Sequence, residues 1–510
     1  MRLSRRAFLA STAAAATLGS GLSRQARAAR SPDTLVFGLS SYPPNLQPWS
    51  NAGAAAGTVK MLIFRGLTSY DPDGTLIGEL AESWERDGET AWVFHLRQAV
   101  FQNGAPVTAE DVKWTIEQVS AATSTAYLRA EFQGVERVET PDPRTVRIVT
   151  KQPFVTLPVL LANYNMPIIA RGSTDNGGTP VGAGPFVLKA QERGASLDLV
   201  AFDKFYKPGL PKLKSLKMVA YSDENARVAA LQAGDVDLIE YVPWQSMAAI
   251  EADPKLRLET TEGPFMDLVF NGKSGPFVDA RVRSAVAFAI KREEIVKAAF
   301  FGRGKPLQSL PFPEASPYFD AGRSTYWTYD PDRARALLKD AGKPEGFSCT
   351  LLSTAQYGMH KDTAVVVQQN LADIGIQVQL SLPDWPTRVS LGNRGQYEFA
   401  VIGNAGDSND PDGLSAYIDG ELPPSYSRSF GLAVPRLHEL LAQGRAEFDQ
   451  AKRQAIYAEV EKTTQEHAPF VGLAWRSQGY AMARNLQGFH NLPGALTFYS
   501  GLTLEQATFA

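Results

Sequence analysis

The chain has 510 residues, a formal net charge of −3 and 44% hydrophobic residues. This composition is sufficient for buried cores and predicts roughly two to four domains, while the slight acidic excess argues against nucleic acid or an anionic membrane as a partner. Cys349 is the only cysteine, which excludes intrachain disulfides and multi-cysteine metal sites.

The N-terminus contains the parts of an export signal in their usual order. Residues 4–10, SRRAFLA, form a twin-arginine motif, a weakly apolar run extends to Gly19, and Ala26-Arg27-Ala28 forms a cleavage site. We predict a twin-arginine signal peptide over residues 1–28 and a periplasmic location; a basic N-terminus without signal function is the alternative. Cleavage leaves 46 basic against 54 acidic residues, a net charge of −8. Because no cysteine stands at the cleavage point, we expect a soluble protein without a lipid anchor.

Strands and helices alternate along the mature chain, which predicts an α/β or mixed fold class. In chain order the predicted elements are a strand at 34–39, a proline-rich loop at 40–48, a short helical or irregular stretch at 79–84, a strand around 92–96, a helix opened by Thr108, a strand at 144–150, a helix ended by Gly234 with a strand to Ile239, a long helix capped by Asp279, a helix from Asp330 to Gly342, a strand at 347–352, a helix at 361–373, and strands at 376–380 and 397–402.

Local chemistry supports these assignments. Trp92, Phe94 and Leu96 alternate with more polar residues, as on a strand with one apolar face. Thr108 with Asp111 three residues later predicts a capping box. The last pieces predict a βαβ unit followed by another strand, with Cys349 as a packed thiol in the first strand of that unit.

Motifs for catalysis and cofactors are incomplete. Residues 177–186, GGTPVGAGPF, lack the Lys-Ser/Thr of a phosphate loop and the third glycine of a dinucleotide fingerprint, so we interpret them as a crossover between domains. Residues 438–442, HELLA, lack the second histidine of a zinc-protease helix. In the acidic loop 407–413, Pro411 replaces a calcium ligand. We therefore predict no enzyme, no cofactor and no metal.

One segment carries a specific resemblance. Residues 76–112, LIGELAESWERDGETAWVFHLRQAVFQNGAPVTAEDV, follow a surface turn at 71–74. This order resembles solute-binding protein family 5, the periplasmic receptors that feed peptide- and nickel-type ABC importers. Residues 270–296, 329–342 and 467–475 also resemble that family. The resemblance covers nearly the whole mature chain.

The resemblance implies a two-lobed periplasmic binding protein, type II-like with an extra inserted domain, that holds its ligand in the interlobe cleft. The implied domain I is discontinuous and comprises residues 29–71, 184–265 and 486–510. Domain II would span 72–183 and domain III 266–485.

The acidic loop that begins at Asp407 is the best candidate ligand site. It follows a strand that ends at Ile402, and ligands of open α/β sheets bind beyond the carboxyl ends of strands. From the residues alone, a cluster of Asx turns is the preferred interpretation. The resemblance implies instead that Asp407 matches an acid that pairs with a peptide's α-ammonium. It also implies an aromatic pocket wall at Trp385, for which core packing is the alternative. Tyr42 and Trp244 are weaker candidates for ligand contacts.

These features predict a monomeric receptor that binds a peptide with a free amino terminus and delivers it to an ABC permease and ATPase. One departure from the family bears on the ligand: dipeptide-binding members place an arginine where this chain has residues 353–356, STAQ. A longer or modified peptide, or another amine-bearing solute, therefore stays open. The alternatives are the same fold with an oligosaccharide, an opine-like conjugate or a metal chelate, a receptor that only signals, and, more distantly, an exported hydrolase.

Overall fold

The structure is a computed structural model that describes residues 31–406 and 408–510. The predicted signal peptide, with its twin-arginine motif and cleavage site, lies outside the described residues, and so does Asp407. The helices are α1 Ala54–Ile63, α2 Ala109–Ser120, α3 Arg129–Phe132, α4 Leu157–Leu160, α5 Glu224–Ala233, α6 Trp244–Ala252, α7 Ala280–Ala289, α8 Arg292–Phe300, α9 Pro331–Asp340, α10 Gly358–Ala372, α11 Trp385–Asn393, α12 Ser415–Ile418, α13 Pro435–Ala446 and α14 Gln450–His467.

The strands are β1 Thr34–Leu39, β2 Thr68–Tyr70, β3 Leu76–Gly78, β4 Ala81–Arg86, β5 Ala91–Leu96, β6 Val135–Asp142, β7 Thr145–Thr150, β8 Phe186–Glu192, β9 Ser196–Ala201, β10 Ser215–Ala220, β11 Leu238–Ile239, β12 Leu256–Phe270, β13 Gly304–Pro306, β14 Phe347–Leu352, β15 Ile376–Ser381, β16 Phe399–Asn404, β17 Val471–Ala483, β18 Leu486–Gln487 and β19 Thr508–Phe509. A 3₁₀ segment, Gly494–Gln506, lies near the C-terminus.

The largest sheet is mixed and contains strands from the beginning, the middle and the later part of the chain. Its order is β15-β14-β16-β12-β17-β11-β1-β10-β9-β8, with β13 paired to β17. The long strands β12 and β17 pair antiparallel along most of their length. The predicted boundary between residues 265 and 266 therefore falls inside a continuous strand, where Phe265 pairs with Trp475. The division into domains I, II and III stays a prediction.

The elements around strand β1 match the sequence predictions. Strand β1 has the predicted bounds and runs parallel to β10 and β11. Helix α5 ends at Gly234, which adopts the left-handed conformation that favours glycine. The Asp223 side chain caps the start of the same helix by accepting a hydrogen bond from the Ala226 amide.

A second sheet, β4-β5-β7-β6, packs against helix α2. The capping box of Thr108 and Asp111 is present at the start of α2. The predicted helical or irregular stretch at 79–84 is wrong, because residues 81–86 form edge strand β4, paired to β5. Most side chains of β4 are exposed, so its charged sequence lacks the apolar alternation that reveals a buried strand.

The predicted βαβ unit is confirmed, since β14 pairs parallel to β15 on one side and to β16 on the other. The single long helix after Asp279 is wrong: α7 ends at Ala289 and α8 begins at Arg292. Between them the Lys291 amide donates to Asn370 Oδ1 at 2.8 Å. Arg292 is fully buried and donates to the carbonyls of Leu307 and Gly472, at 2.7 and 2.8 Å, which fixes the break.

Candidate ligand-binding site

A cavity of about 410 Å³ is enclosed by three walls, which are built from several separate segments of the chain. One wall comes from residues 51–54, Tyr241 and the 3₁₀ segment at 495–499, a second from residues around α3, and a third from the end of β16 and residues 416–428. Its aromatic lining residues are Tyr127, Tyr164, Tyr241, Tyr417, Tyr426, Phe498 and Tyr499. The described charged residues of the lining are Glu131 and Arg428.

Tyr241 forms one aromatic face of the cavity. Its ring stacks on Phe498 with centroids 5.6 Å apart and an interplanar angle of 29°. The backbone of Tyr241 has a φ of 49°, which is costly for a residue with a side chain and persists where its surroundings impose it. Here the buried Arg227 imposes it by donating to the carbonyls of Glu240 and Tyr241, at 3.0 and 2.9 Å. Burial is the main cause that raises the pKa of the Tyr241 phenol, so Tyr241 presents a neutral hydroxyl.

Asn404 is a polar lining residue whose orientation is fixed from behind. Its amide nitrogen donates to Asp267 Oδ1 at 2.9 Å, and Asp267 is fully buried. Burial is the main cause that raises the pKa of Asp267 well above its ordinary value. The neutral form of this carboxyl is therefore favoured, as expected for an acid without an ion pair in a core.

The acidic loop is largely committed to internal ion pairs. Asp410 accepts from both terminal nitrogens of Arg453, at 2.7 and 2.8 Å. Asp412 accepts from Nε and one terminal nitrogen of Arg445, at 3.0 and 3.1 Å. Asp410 also accepts from the Asp412 amide at 2.9 Å, which forms an Asx turn. These two carboxylates hold the loop in place, whereas Gly406, next to Asp407, lines the cavity.

Trp385 lies one layer behind the cavity wall. It opens helix α11, which Asp384 caps. Its ring meets the ring of Tyr426, a lining residue, edge to face at 5.7 Å. The buried Arg388 guanidinium lies 5.6 Å from the Trp385 ring centroid and 5.5 Å from that of Tyr426. A direct ligand contact of Trp385 stays a prediction; this placement gives it a role in supporting Tyr426.

Tyr42 and Trp244 lie away from the cavity lining. The Tyr42 hydroxyl is 3.4 Å from Gln191 Oε1 at the surface. Trp244 is only 8% exposed, its indole nitrogen donates to the Ser477 carbonyl at 2.7 Å, and its ring packs on Phe300. Ligand contacts of both residues stay predictions, and neither position supports them.

The sequence reasoning missed Tyr241, Phe498, Tyr499 and Arg428. Tyr241 and Arg428 stand in bends of the chain, and Phe498 and Tyr499 in a 3₁₀ segment, where no periodic pattern marks them. The sequence offered one indication for Tyr241, which is its position. It follows the same short strand as the candidate Trp244 and lies three residues before that tryptophan.

A second, larger cavity of about 630 Å³ lies beyond the acidic loop. The backbone amide of Ala495 donates to Asn409 Oδ1 at 2.9 Å, and this bond belongs to the contacts that separate the two cavities. The smaller cavity is the better candidate because its polar and charged groups converge from several segments that are distant in sequence. Over residues 31–406 and 408–510 there is no group of three or more acidic, histidine or cysteine residues placed to hold a metal, and no helix that could cross a membrane.

Comparisons with known proteins bear on what this cavity serves. The sequence profile of bacterial extracellular solute-binding proteins, family 5 Middle, matches residues 75–423. The glutathione-binding protein GsiB of Escherichia coli (strain K12) is 27% identical over 505 residues, which cover 96% of this chain and 97% of that protein. The solved structure of AgaA from A. tumefaciens R10 in complex with agropinic acid is 39% identical, with a TM-score of 0.88, over 94% of this chain and 99% of that one.

Similarity of fold extends to more distant proteins. The periplasmic binding protein DppA of Helicobacter pylori, in complex with the peptide STSA, has a TM-score of 0.83 at 21% identity, over 93% of this chain and 98% of that one. The predicted fold class, a two-lobed α/β binding protein, is thereby confirmed.

Proposed function

The chain belongs to family 5 of the bacterial extracellular solute-binding proteins, the substrate-binding proteins of ABC importers, and on that premise we propose that it captures a small peptide or peptide-like solute with a free ammonium group in the periplasm and delivers it to a permease and ATPase. The observation that carries the proposal is the cavity of about 410 Å³ between three walls. Pockets for small ligands have about this size, typically ~300–1,000 Å³, with apolar walls and a few convergent polar groups.

The acidic end of the site is proposed to be Asp407. Gly406, the residue before it, lines the cavity, which supports a ligand contact from this loop. The neighbouring acids Asp410 and Asp412 are neutralised by Arg453 and Arg445, which leaves Asp407 as the carboxylate of this loop proposed for the ligand. A desolvated carboxylate holds an ammonium by a charge-assisted bond and disfavours ligands without a positive end.

A non-peptide solute of opine type is a second candidate. The relative that is 39% identical binds agropinic acid in its solved structure. The resemblance implies an arginine in dipeptide-binding members where this chain has residues 353–356, STAQ, of which Ser353 and Thr354 are fully buried. Ser353 donates to the His360 carbonyl and Thr354 to the Pro383 carbonyl, so both hydroxyls serve the local fold.

The proposal includes export by the twin-arginine route, a soluble monomer in the periplasm, and binding without chemical conversion of the solute. The twin-arginine motif at 4–10 supports the route. The incomplete catalytic motifs support binding over catalysis.

Calorimetry with defined ligands tests the site. The panel is agropinic acid, glutathione and the dipeptide Met-Leu, each with its N-acetylated form where a free amine exists. Asp407→Asn keeps the shape and removes the charge, so affinity for the amine-bearing ligand should fall by about 3–5 kcal/mol, at least a hundredfold. Asp332→Asn, at a side chain that is 93% exposed, is the control. If the N-acetylated form binds the wild type as well as the free amine, the ammonium assignment is wrong.

A further inference from the structure

Arg428 is a cation inside the cavity whose role the proposed function leaves open. The residue is 6% exposed and belongs to the lining. Its two terminal nitrogens donate to the backbone carbonyls of Ala416 and Pro423, which also line the cavity. The guanidinium is therefore held in a defined place by the segment 416–423, and it keeps further N–H donors, because an arginine has five.

The charge of Arg428 has no direct counter-ion among the residues that the structure describes. Its acidic neighbours act at longer range: Asp419, which is paired instead with His438 at 2.9 Å, and Glu131. Tyr127 and Glu131 belong to the segment around α3, so the electrostatic field of Arg428 extends across the cavity toward the opposite wall. Burial is the largest influence on the pKa of Arg428 and lowers it, which means that these neighbours do not offset the lost hydration.

We propose that Arg428 anchors a carboxylate of the ligand, which makes it the acid-recognising residue of this site. The inference rests on the proposed function, because it assigns the second end of the same solute. A carboxylate would supply charge-assisted hydrogen bonds to a buried guanidinium that forms no ion pair with any residue the structure describes.

Together with Asp407 this assignment defines the ligand's chemical class. Gly406 and Arg428 line the same cavity of about 410 Å³. A solute with an ammonium at the Asp407 end and a carboxylate at the Arg428 end is a zwitterion, such as a short peptide or an amino-acid conjugate. Neutral sugars and long apolar solutes are disfavoured by the same argument, since they offer the buried guanidinium no counter-ion.

The competing role is structural, since Arg428 also holds the segment 416–423. The two roles differ in one measurable respect. A structural arginine affects binding of every ligand equally, whereas an anchor for a carboxylate affects only ligands that carry one.

The test compares acid and amide forms of each panel compound by calorimetry on the full-length mature protein. For a compound that binds, amidation of its carboxylate should weaken wild-type affinity at least a hundredfold. Arg428→Gln should weaken binding of the acid at least a hundredfold and of the amide less than threefold. Arg428→Lys keeps the charge and loses the two-pronged geometry, so its affinity for the acid should lie between those of the wild type and Arg428→Gln. Arg436→Gln, at a 55% exposed arginine of the same region, is the control and should change neither the affinity for the acid nor that for the amide.

Each outcome decides the matter. Equal wild-type affinity for acid and amide overturns the proposal without any variant, so it stays testable even if Arg428→Gln fails to fold. Equal losses of acid and amide in Arg428→Gln identify a structural role and also overturn it. Wild-type protein that binds neither form of any compound contradicts the proposed function itself, and the Arg428 assignment with it.

Discussion

Arg445 and Asp412 form a side-on ion pair, with Nε 3.0 Å from Oδ2 and the terminal nitrogen 3.1 Å from Oδ1. The pair also reaches across to α4: the Arg445 carbonyl accepts from the Val155 amide at 2.9 Å, and the Thr156 hydroxyl lies 3.4 Å from Asp412. The ion pair and its neighbours thus connect the acidic loop, helix α13 and the residues just before α4. The loop next to Asp407 is positioned by this pair.

Asp412→Asn should destabilise the fold, because it leaves the Arg445 guanidinium without its counter-ion. The pair is partly buried, with side chains 12% and 31% exposed, so we expect the free energy of unfolding to fall by about 1–3 kcal/mol, less than for a fully buried pair. Urea unfolding, monitored by tryptophan fluorescence, measures this free energy. The control is Glu439→Gln, from an exposed pair with Arg436, which should change stability by no more than about 0.5 kcal/mol. Equal effects of the two variants would show that the Asp412 pair does not stabilise the fold.

Cys349 should be unreactive in the folded protein. The thiol is 6% exposed in strand β14, and burial, with the nearby Glu398 charge, raises its pKa to about 12. Only the thiolate reacts with alkylating reagents, so labelling at pH 8 should require opening of the fold. Intact-mass measurement should find no adduct with iodoacetamide under native conditions and one adduct in urea. Rapid labelling of native protein would contradict the packed-thiol interpretation.

His360 should make stability depend on pH between about 3 and 6.5. Burial, with repulsion from Arg388 and Arg476, lowers its pKa to about 3 in the folded state, below the ordinary 6.5. Between these values the unfolded chain binds a proton that the folded protein does not, so stability is lost as pH falls. This contributes a slope approaching about 1.4 kcal/mol per pH unit.

Unfolding free energies measured from pH 5 to 6.5 test this prediction. His360→Gln should remove the contribution and flatten the dependence by about one proton. His490→Gln, at an exposed histidine, should leave the dependence as in the wild type. The same slope in wild type and His360→Gln would mean that His360 is not buried in its neutral form.

Replacing Arg5-Arg6 by Lys-Lys should block export, because the twin-arginine route requires the arginine pair and the charge alone is insufficient. Cell fractionation of the wild type should find a soluble periplasmic species that begins near Ala29. Arg24→Lys, outside the motif, is the matched control and should be exported normally. Normal export of the Lys-Lys protein would show that the signal assignment is wrong.

The sequence predicted well those elements whose signals are local. Strand β1, the capping box of Thr108 and Asp111, and the βαβ unit follow from alternation, spacing and capping residues within a few positions. Strand β4 was missed because only its pairing with β5 makes it a strand, and its exposed residues carry no apolar pattern.

The candidate site was less predictable because its relationships are long-range. Asp410 and Arg453 are 43 positions apart, and no local pattern indicates that they pair. The conformation of Tyr241 depends on Arg227, 14 positions earlier on another element. Resemblance indicated the loop at Asp407, but the aromatic wall and Arg428 became apparent only once three distant segments were brought together.

The central claim is that this protein captures one small zwitterionic solute and releases it unchanged. Native mass spectrometry of the protein purified from its own periplasm tests it most directly, with the bound molecule released by denaturation and identified before and after prolonged incubation. We predict one solute per chain, carrying both an amine and an acid, and identical at both times. Conversion of the solute into a product, or a bound molecule that lacks either the amine or the acid, would contradict the account.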